Sequence, residues 1–188
     1  MIPADKVTWS IVSKELGDDL GLLYEANALK QNKIKQFLLS QGILASEITA
    51  NAPNVVDLKA EQYSKQKGYH YNITSVITVT SKQVDKVRAF IARQGELLRR
   101  GVAIINGGYE NPVTYDLEGF ASLKPKIMEE AIANAEKTAA QFAKNSHSTL
   151  DKIITADQGL FSIDNRDTNT PCIKKVRVVT TITYSLKD

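Results

Sequence analysis

A chain of 188 residues, 43% of them hydrophobic, has room for one substantial domain or two small lobes and enough apolar side chains for a core. Its 24 basic and 21 acidic residues leave a formal net charge of only +3, spread along the chain, which argues against an obligate nucleic-acid binder. Apolar runs such as Val102-Ala103-Ile104-Ile105 fall far short of the roughly 20 residues that cross a bilayer, and the lone cysteine, Cys172, allows neither an internal disulfide nor a structural zinc site.

Met1-Ile2-Pro3-Ala4 carries no basic n-region and no apolar h-region, so either the protein is cytosolic or a leader belongs upstream. Lys6 to Ser13 alternates Val7, Trp9 and Ile11 with polar Thr8 and Ser10, the period of a half-buried strand. Asp18 and Asp19 open a helix whose Leu22, Leu23, Ala26, Leu29, Ile34, Phe37 and Leu38 form one apolar face, with Gly42 as its stop. From Ile43 to about Leu58 the chain reads as extended, with Pro53 suited to an edge or bulge. Gln62 to Gly68 is turn-like, and Tyr69 to Thr80 is the strongest strand, expected at the centre of its sheet.

Ser81 can cap a second helix carrying Val84, Val87, Ile91 and Leu98 and ending at Gly101. Val102–Ile105 and Val113–Leu117 are short strands around an Asn106-Gly107-Gly108 turn. A third helix begins near Ser122 with Pro125 in its first turn, and places Met128, Ala131, Ile132, Ala135, Ala139, Phe142 and Ala143 on its inner side. The four-residue spacing of its alanines predicts close packing. Ile153–Thr155 and Gly159–Ile163 are weaker strands, Asp164–Thr170 is a polar loop, and Val176 to Leu186 alternate along a final strand. The class is therefore α+β: mainly antiparallel sheet with three amphipathic helices, the first part in split β-α-β order, with lobes at 1–120 and 121–188.

Chemistry-bearing residues are sparse. His70, between two tyrosines, reads as a sheet-face residue, and His147 as a helix-exit residue. Neither has a second ligand one helical turn away, so no metal and no cofactor is expected. Cys172 needs a base or cation to become a nucleophile, and Lys174 and Lys175 are near it only in sequence. Asp164 to Asn169 is oxygen-rich but lacks the glycine and distal glutamate of a Ca²⁺ loop. Asn106-Gly107-Gly108 lacks the lysine of a phosphate loop. Two binding surfaces remain. Tyr69 and Tyr71, on one face of the central strand near Lys65 and Lys67, form a stacking pair for single-stranded bases if exposed. Lys174, Lys175 and Arg177 form a small basic patch for an acidic partner or lipid head groups.

The order of elements resembles the SIMPL domain family across nearly the whole chain. The resemblance rests on Gly42-Ile43 followed by Glu47-Ile48-Thr49, on Gly68-Tyr69 opening the strand to Val79, and on Asp85-Lys86-Val87. It continues through Ala131, Ala135, Ala139, Phe142 and Ala143 to Leu150-Asp151-Lys152-Ile153. Departures are Thr138, preceded by Lys137 rather than carrying a lysine itself, Asp151 where glycine is common, and Asn145-Ser146-His147 at the helix exit. These are packing and turn motifs. The resemblance implies a single SIMPL-like domain over 1–188 in a non-enzymatic protein of the bacterial cell envelope, periplasmic or secreted. It also implies a homo-oligomer or an envelope partner and a link to envelope stress, with no catalytic residues to carry over.

Overall fold

The computed structural model describes residues 1–60, 68–105 and 111–187. The chain runs through β1 (Ile2–Pro3), β2 (Lys6–Gly17), α1 (Leu20–Ser40), a 3-10 turn at Ala45–Glu47, β3 (Ile48–Ala50), β4 (Asn54–Asp57) and β5 (Tyr71–Ser81). It continues with α2 (Val84–Ala92), α3 (Gly95–Arg99), β6 (Thr114–Asp116), α4 (Phe120–Asn145), β7 (Thr149–Asn165) and β8 (Ile173–Lys187). All pairings between these strands are antiparallel, and the class is α+β. The chain divides into two units, Asp5–Asp116 and Met1–Ala4 with Leu117–Asp188.

In the unit Asp5–Asp116 the sheet order is β3-β5-β2-β6, with β4 also on β5. The central pair is β2 and β5, which stay in register from Val7↔Ser81 to Gly17↔Tyr71. Pro53, which has no N–H to give a ladder, separates the two short strands that share that edge of β5. The alternation read in the sequence places Val7, Trp9 and Ile11 of β2 and Ile77 and Val79 of β5 in one core. Ile34, Phe37 and Leu38 of α1 and Val87 and Phe90 of α2 pack into the same core.

Helical phase corrects the reading of α1. Leu22 and Leu29 are 67% and 64% exposed, while Leu23, Asn27, Ile34, Phe37 and Leu38 are buried. Residues seven apart lie on one line, so a face centred on Leu23, Asn27 and Ile34 leaves the Leu22–Leu29 line outside. Asn27 is tolerated there because its Oδ1 accepts the Ser75 hydroxyl at 2.7 Å. The second predicted helix is two helices. At the break, Arg93 N–H bonds Phe90 C=O at 2.9 Å, and the turn of phase buries Leu97 in place of Leu98, which is 56% exposed. Of Val102–Ile105, only Ile105 pairs, in an isolated bridge to Val12, while Val102 is buried in the core. Both the Asn106-Gly107-Gly108 turn and the segment 61–67, with Lys65 and Lys67, lie outside the described residues.

Three of the segments that carry the SIMPL resemblance, Gly42-Ile43, Glu47-Ile48-Thr49 and Asp85-Lys86-Val87, meet where α1 ends and α2 begins. Gly42, at φ +81°, adopts the left-handed conformation that glycine takes without penalty, and its carbonyl accepts Lys86 Nζ at 2.6 Å. Glu47 uses both carboxylate oxygens, accepting Leu44 N–H at 2.9 Å and the Ser81 hydroxyl at 2.6 Å. Ile43 and Val87 are buried beside them. These short motifs are thus the fastening between α1, β5 and α2.

In the other unit the sheet order is β1-β8-β7, and α4 packs on it. The two weak strands predicted before the polar loop are one 17-residue strand, β7, and the hairpin turn is confined to the residues between Asn165 and Ile173. Irregularities between Leu150/Ile153, Ile153/Thr155 and Gln158/Phe161 explain why β7 reads as broken, since each shift interrupts the alternation. Gly159 sits at the last of them, where a Cβ would lie 2.8 Å from the Val179 carbonyl oxygen. Helix α4 begins at Phe120, two residues before Ser122, so Pro125 falls beyond its first turn. Along its predicted inner face Ala143 is buried and Ala131, Ala135 and Ala139 are half-buried, but Ile132 and Phe142 are 46% and 69% exposed.

Candidate interaction surfaces

Strand β7 has β8 on one side, and no described strand pairs with its other edge. Among the described residues, strand β8 is paired on its far side only at Ile173 and Lys174, by Pro3 and Ile2 of β1. The hairpin therefore offers backbone donors and acceptors along most of two edges, the arrangement that other strands add to most readily. Its side chains are also apolar for a surface: Ile153, Ile154, Leu160 and Val179 are 57%, 63%, 93% and 50% exposed. On β7 the negative Asp151, Asp157 and Asp164 outnumber the positive Lys152, and positive charge follows β8 in Lys175, Arg177 and Lys187. Within the hairpin, Lys187 Nζ pairs with Asp151 at 3.2 Å.

The hairpin turn is held by Asp167. Its carboxylate accepts the Thr170 hydroxyl and Arg166 Nε, and the N–H groups of Asn169 and Thr170 at 2.9 and 2.7 Å. The Thr170 hydroxyl first, then Arg166, lowers the Asp167 pKa from 3.8 to about 2. Those oxygens are committed to a turn, consistent with a solvated loop rather than a cation loop.

The predicted basic patch is smaller than its sequence. Lys174 is 8% exposed, with Nζ donating to Asn165 Oδ1 at 2.6 Å, so only Lys175 and Arg177 remain on the open face. Alternation along a strand sends neighbours to opposite faces, which separates Lys174 from Lys175. The tyrosine pair also changes. Tyr69 precedes β5 and is 55% exposed, whereas Tyr71 begins it, half-buried, with the His70 ring stacked on it at 4.2 Å. The two rings thus do not share a strand face.

His70 is fixed by its own contacts, Nε2 to Asp57 Oδ1 at 3.1 Å and N–H to Asp18 Oδ1 at 2.9 Å. Desolvation raises the Asp57 pKa, but the N–H groups of Lys59 and Ala60 and the nearby His70 outweigh it, and the net shift is downward. His147 is exposed at φ 59°, the one non-glycine residue with positive φ among the described residues. Cys172 is buried, and its carbonyl accepts Ala4 N–H at 2.8 Å. No hydrogen bond joins Cys172 to His147 among the described residues, and no group of three or more His, Cys, Asp or Glu there is placed to hold a metal. No helix among them is long and apolar enough to cross a membrane.

One feature escaped sequence reasoning. Between α4 and β8 lies an open groove of about 1010 Å³, lined on the helix by Ala131, Ala135 and Ala139 and on the strand by Val178, Thr180 and Ile182. Its sequence signal is the alanine ridge, whose spacing predicts close packing where the structure has a groove.

The chain is thus an α+β protein whose described surface shows strand edges without described partners and exposed apolar side chains. The family model described as SIMPL, protein of unknown function (DUF541), matches residues 1–177, and the chain belongs to this family. No curated protein matches its sequence significantly.

Proposed function

We propose that this protein is a non-enzymatic component of the cell envelope, periplasmic or secreted, that acts by self-assembly or by binding an envelope partner during envelope stress. The observation that carries the reading is the outer edge of β7, 17 residues of strand without a described strand partner, flanked by exposed Ile153, Ile154 and Leu160. Such an edge is costly to leave open, because it invites uncontrolled pairing unless a defined partner occupies it. Acidic residues on β7 and basic residues on β8 favour pairing the β7 edge of one copy with the β8 edge of the next, a head-to-tail contact that closes into rings when its rotation allows. The two units serve here as lobes of a single domain.

Sedimentation of the purified protein over a range of concentrations tests the reading. We expect a defined oligomer whose mass falls when Ile154 and Leu160 are both replaced by lysine, since charge on an edge opposes strand addition. A strictly monomeric protein at high concentration, with no partner recovered from envelope extracts, removes the proposal. Fractionation of cells expressing the native gene, followed by immunoblotting, tests the compartment, with recovery in the cytoplasmic fraction as the contrary result. A deletion strain as resistant to envelope stress as its parent would remove the stress component.

A further inference from the structure

Charge, close to balance over the whole chain, is gathered on α2 and α3. The residues from Lys82 to Arg100 hold six basic and two acidic side chains, a net charge of +4 against +3 for all 188 residues, so the rest of the chain sums to −1. Four of the six arginines in the sequence lie here: Arg88, Arg93, Arg99 and Arg100. Helical phase puts them outside. Val87 and Phe90 turn one side of α2 to the core and Leu97 does the same for α3, which leaves Lys82 and all four arginines exposed. Physiological salt screens charges beyond about 8 Å, so an approaching surface meets this local excess rather than the average of the chain.

Two of the arginines are positioned by the core itself. The guanidinium carbon of Arg93 lies over Phe90, 5.3 Å from the ring centroid, and that of Arg100 over Phe37, at 5.0 Å. Both rings are buried, so the core fixes these side chains at its margin. A guanidinium resting on a ring keeps N–H groups along its edge for the oxygens of a phosphate, and a side chain already ordered loses less entropy on binding. Acidic side chains neutralise the patch only in part: Asp85 pairs with Arg88 at 3.3 Å and Glu96 with Arg93 at 3.9 Å, while Lys82, Arg99 and Arg100 have no ion-pair partner among the described residues. Lys86 donates instead to the Gly42 carbonyl. Beside Arg99 stands Leu98, 56% exposed, and Ala89 and Ala92 are exposed on α2. An apolar side chain among guanidinium groups gains nothing from a soluble polyanion. It matches the surface of a bilayer, where head-group phosphates lie directly above acyl chains. Phe90 is the single aromatic residue of the segment and is buried, so no ring is offered to stack a nucleic-acid base.

We propose that the exposed side of α2 and α3 docks on an anionic phospholipid bilayer, with its arginines on lipid phosphates and Leu98 at the level of the first acyl carbons. The proposal is independent of assembly through β7. Flotation of the full chain with vesicles of phosphatidylcholine, alone or mixed in equal parts with phosphatidylglycerol, tests it. The parent should float with the mixed vesicles but not with phosphatidylcholine alone, and high salt should release it. Replacing both Arg88 and Arg99 by glutamine should weaken binding roughly 25-fold, at about fivefold for each basic charge near such a surface. If that variant fails to fold by circular dichroism, Arg99→Gln alone takes its place, with a loss of roughly fivefold. Leu98→Asn should weaken binding to the mixed vesicles severalfold and leave retention on heparin unchanged, which separates insertion from charge. Lys175→Gln combined with Arg177→Gln, on β8, should bind as the parent does. A parent that does not float with the mixed vesicles, or that floats equally with both kinds, overturns the proposal. So does Leu98→Asn binding the mixed vesicles as the parent does, which would leave a soluble polyanion as the ligand, and so does a loss confined to the β8 variant.

Discussion

The unit Asp5–Asp116 and the segment from Leu117 onward differ in how much of their apolar surface they enclose. In the first, β2, β5, α1 and α2 direct alternate or helically spaced residues into one core, and Phe37, Ile77, Val79 and Val87 are almost fully buried. In the second, Ala143 is the one residue of α4 that is buried, and large apolar side chains stand along β7 and at the end of α4 in the open. Helices packed on a five-stranded sheet can enclose what they bury, whereas one helix on a long hairpin cannot. The difference lies in enclosure: the first unit closes a core even though Leu22, Tyr24 and Leu29 stand outside it, and the second leaves many of its large apolar side chains uncovered.

That comparison is easiest to break in the core. Phe37→Ala should destabilise the unit Asp5–Asp116 by about 3–5 kcal/mol in denaturant titration, through lost burial and the cavity left behind. Leu160→Ala, at a residue 93% exposed, should change stability by less than about 0.5 kcal/mol. Comparable losses at both positions would mean that Leu160 is covered in solution. Between these extremes, Glu47→Ala should cost about 1–2 kcal/mol, because it leaves the Leu44 N–H and the Ser81 hydroxyl without their acceptor. Retention of the parent's stability would show that the fastening between α1 and α2 is dispensable.

The smallest expected effect is electrostatic and confined to the hairpin turn. Asp167 has a folded pKa of about 2 against an ordinary 3.8, so its contribution is present above the ordinary value and is lost as pH falls through about 2. Amide chemical shifts of Asn169 and Thr170 should therefore hold steady down to about pH 3 and move below it, while Asp167→Asn removes the transition. A midpoint near 4 would mean that the turn is open in solution.

Much of the first unit was legible in the sequence because its periodicities are local and strong. Val7, Trp9 and Ile11 announce a strand face with no reference to any partner, and Pro53 marks the edge it interrupts. The face of α1 was less legible: Leu22 and Leu29 are as apolar as Leu23 and Leu38, and only the position of the sheet decides which line is covered. Similarly, the break at Arg93 exchanges Leu98 for Leu97, a choice that a run of helix formers does not reveal. For β7, bulges scramble the alternation, so one long strand reads as two short ones.

The candidate surfaces follow the same division. The two histidines and the single cysteine are properties of composition, visible before folding. Tyr69, Tyr71 and the basic run at Lys174 were visible as residue types, but their directions were not, since a one-residue step reverses a side chain on a strand. By itself, the sequence determined the class, the central strands β2 and β5, the turn at Gly42 and the family to which the chain belongs. Tertiary structure alone decided that Lys174 is buried beside Asn165, that the outer edge of β7 has no strand partner among the described residues, and that the alanines of α4 border a groove. The physical reason is range: backbone preference and periodicity act within a few residues, whereas edges and grooves exist only between elements distant in the chain.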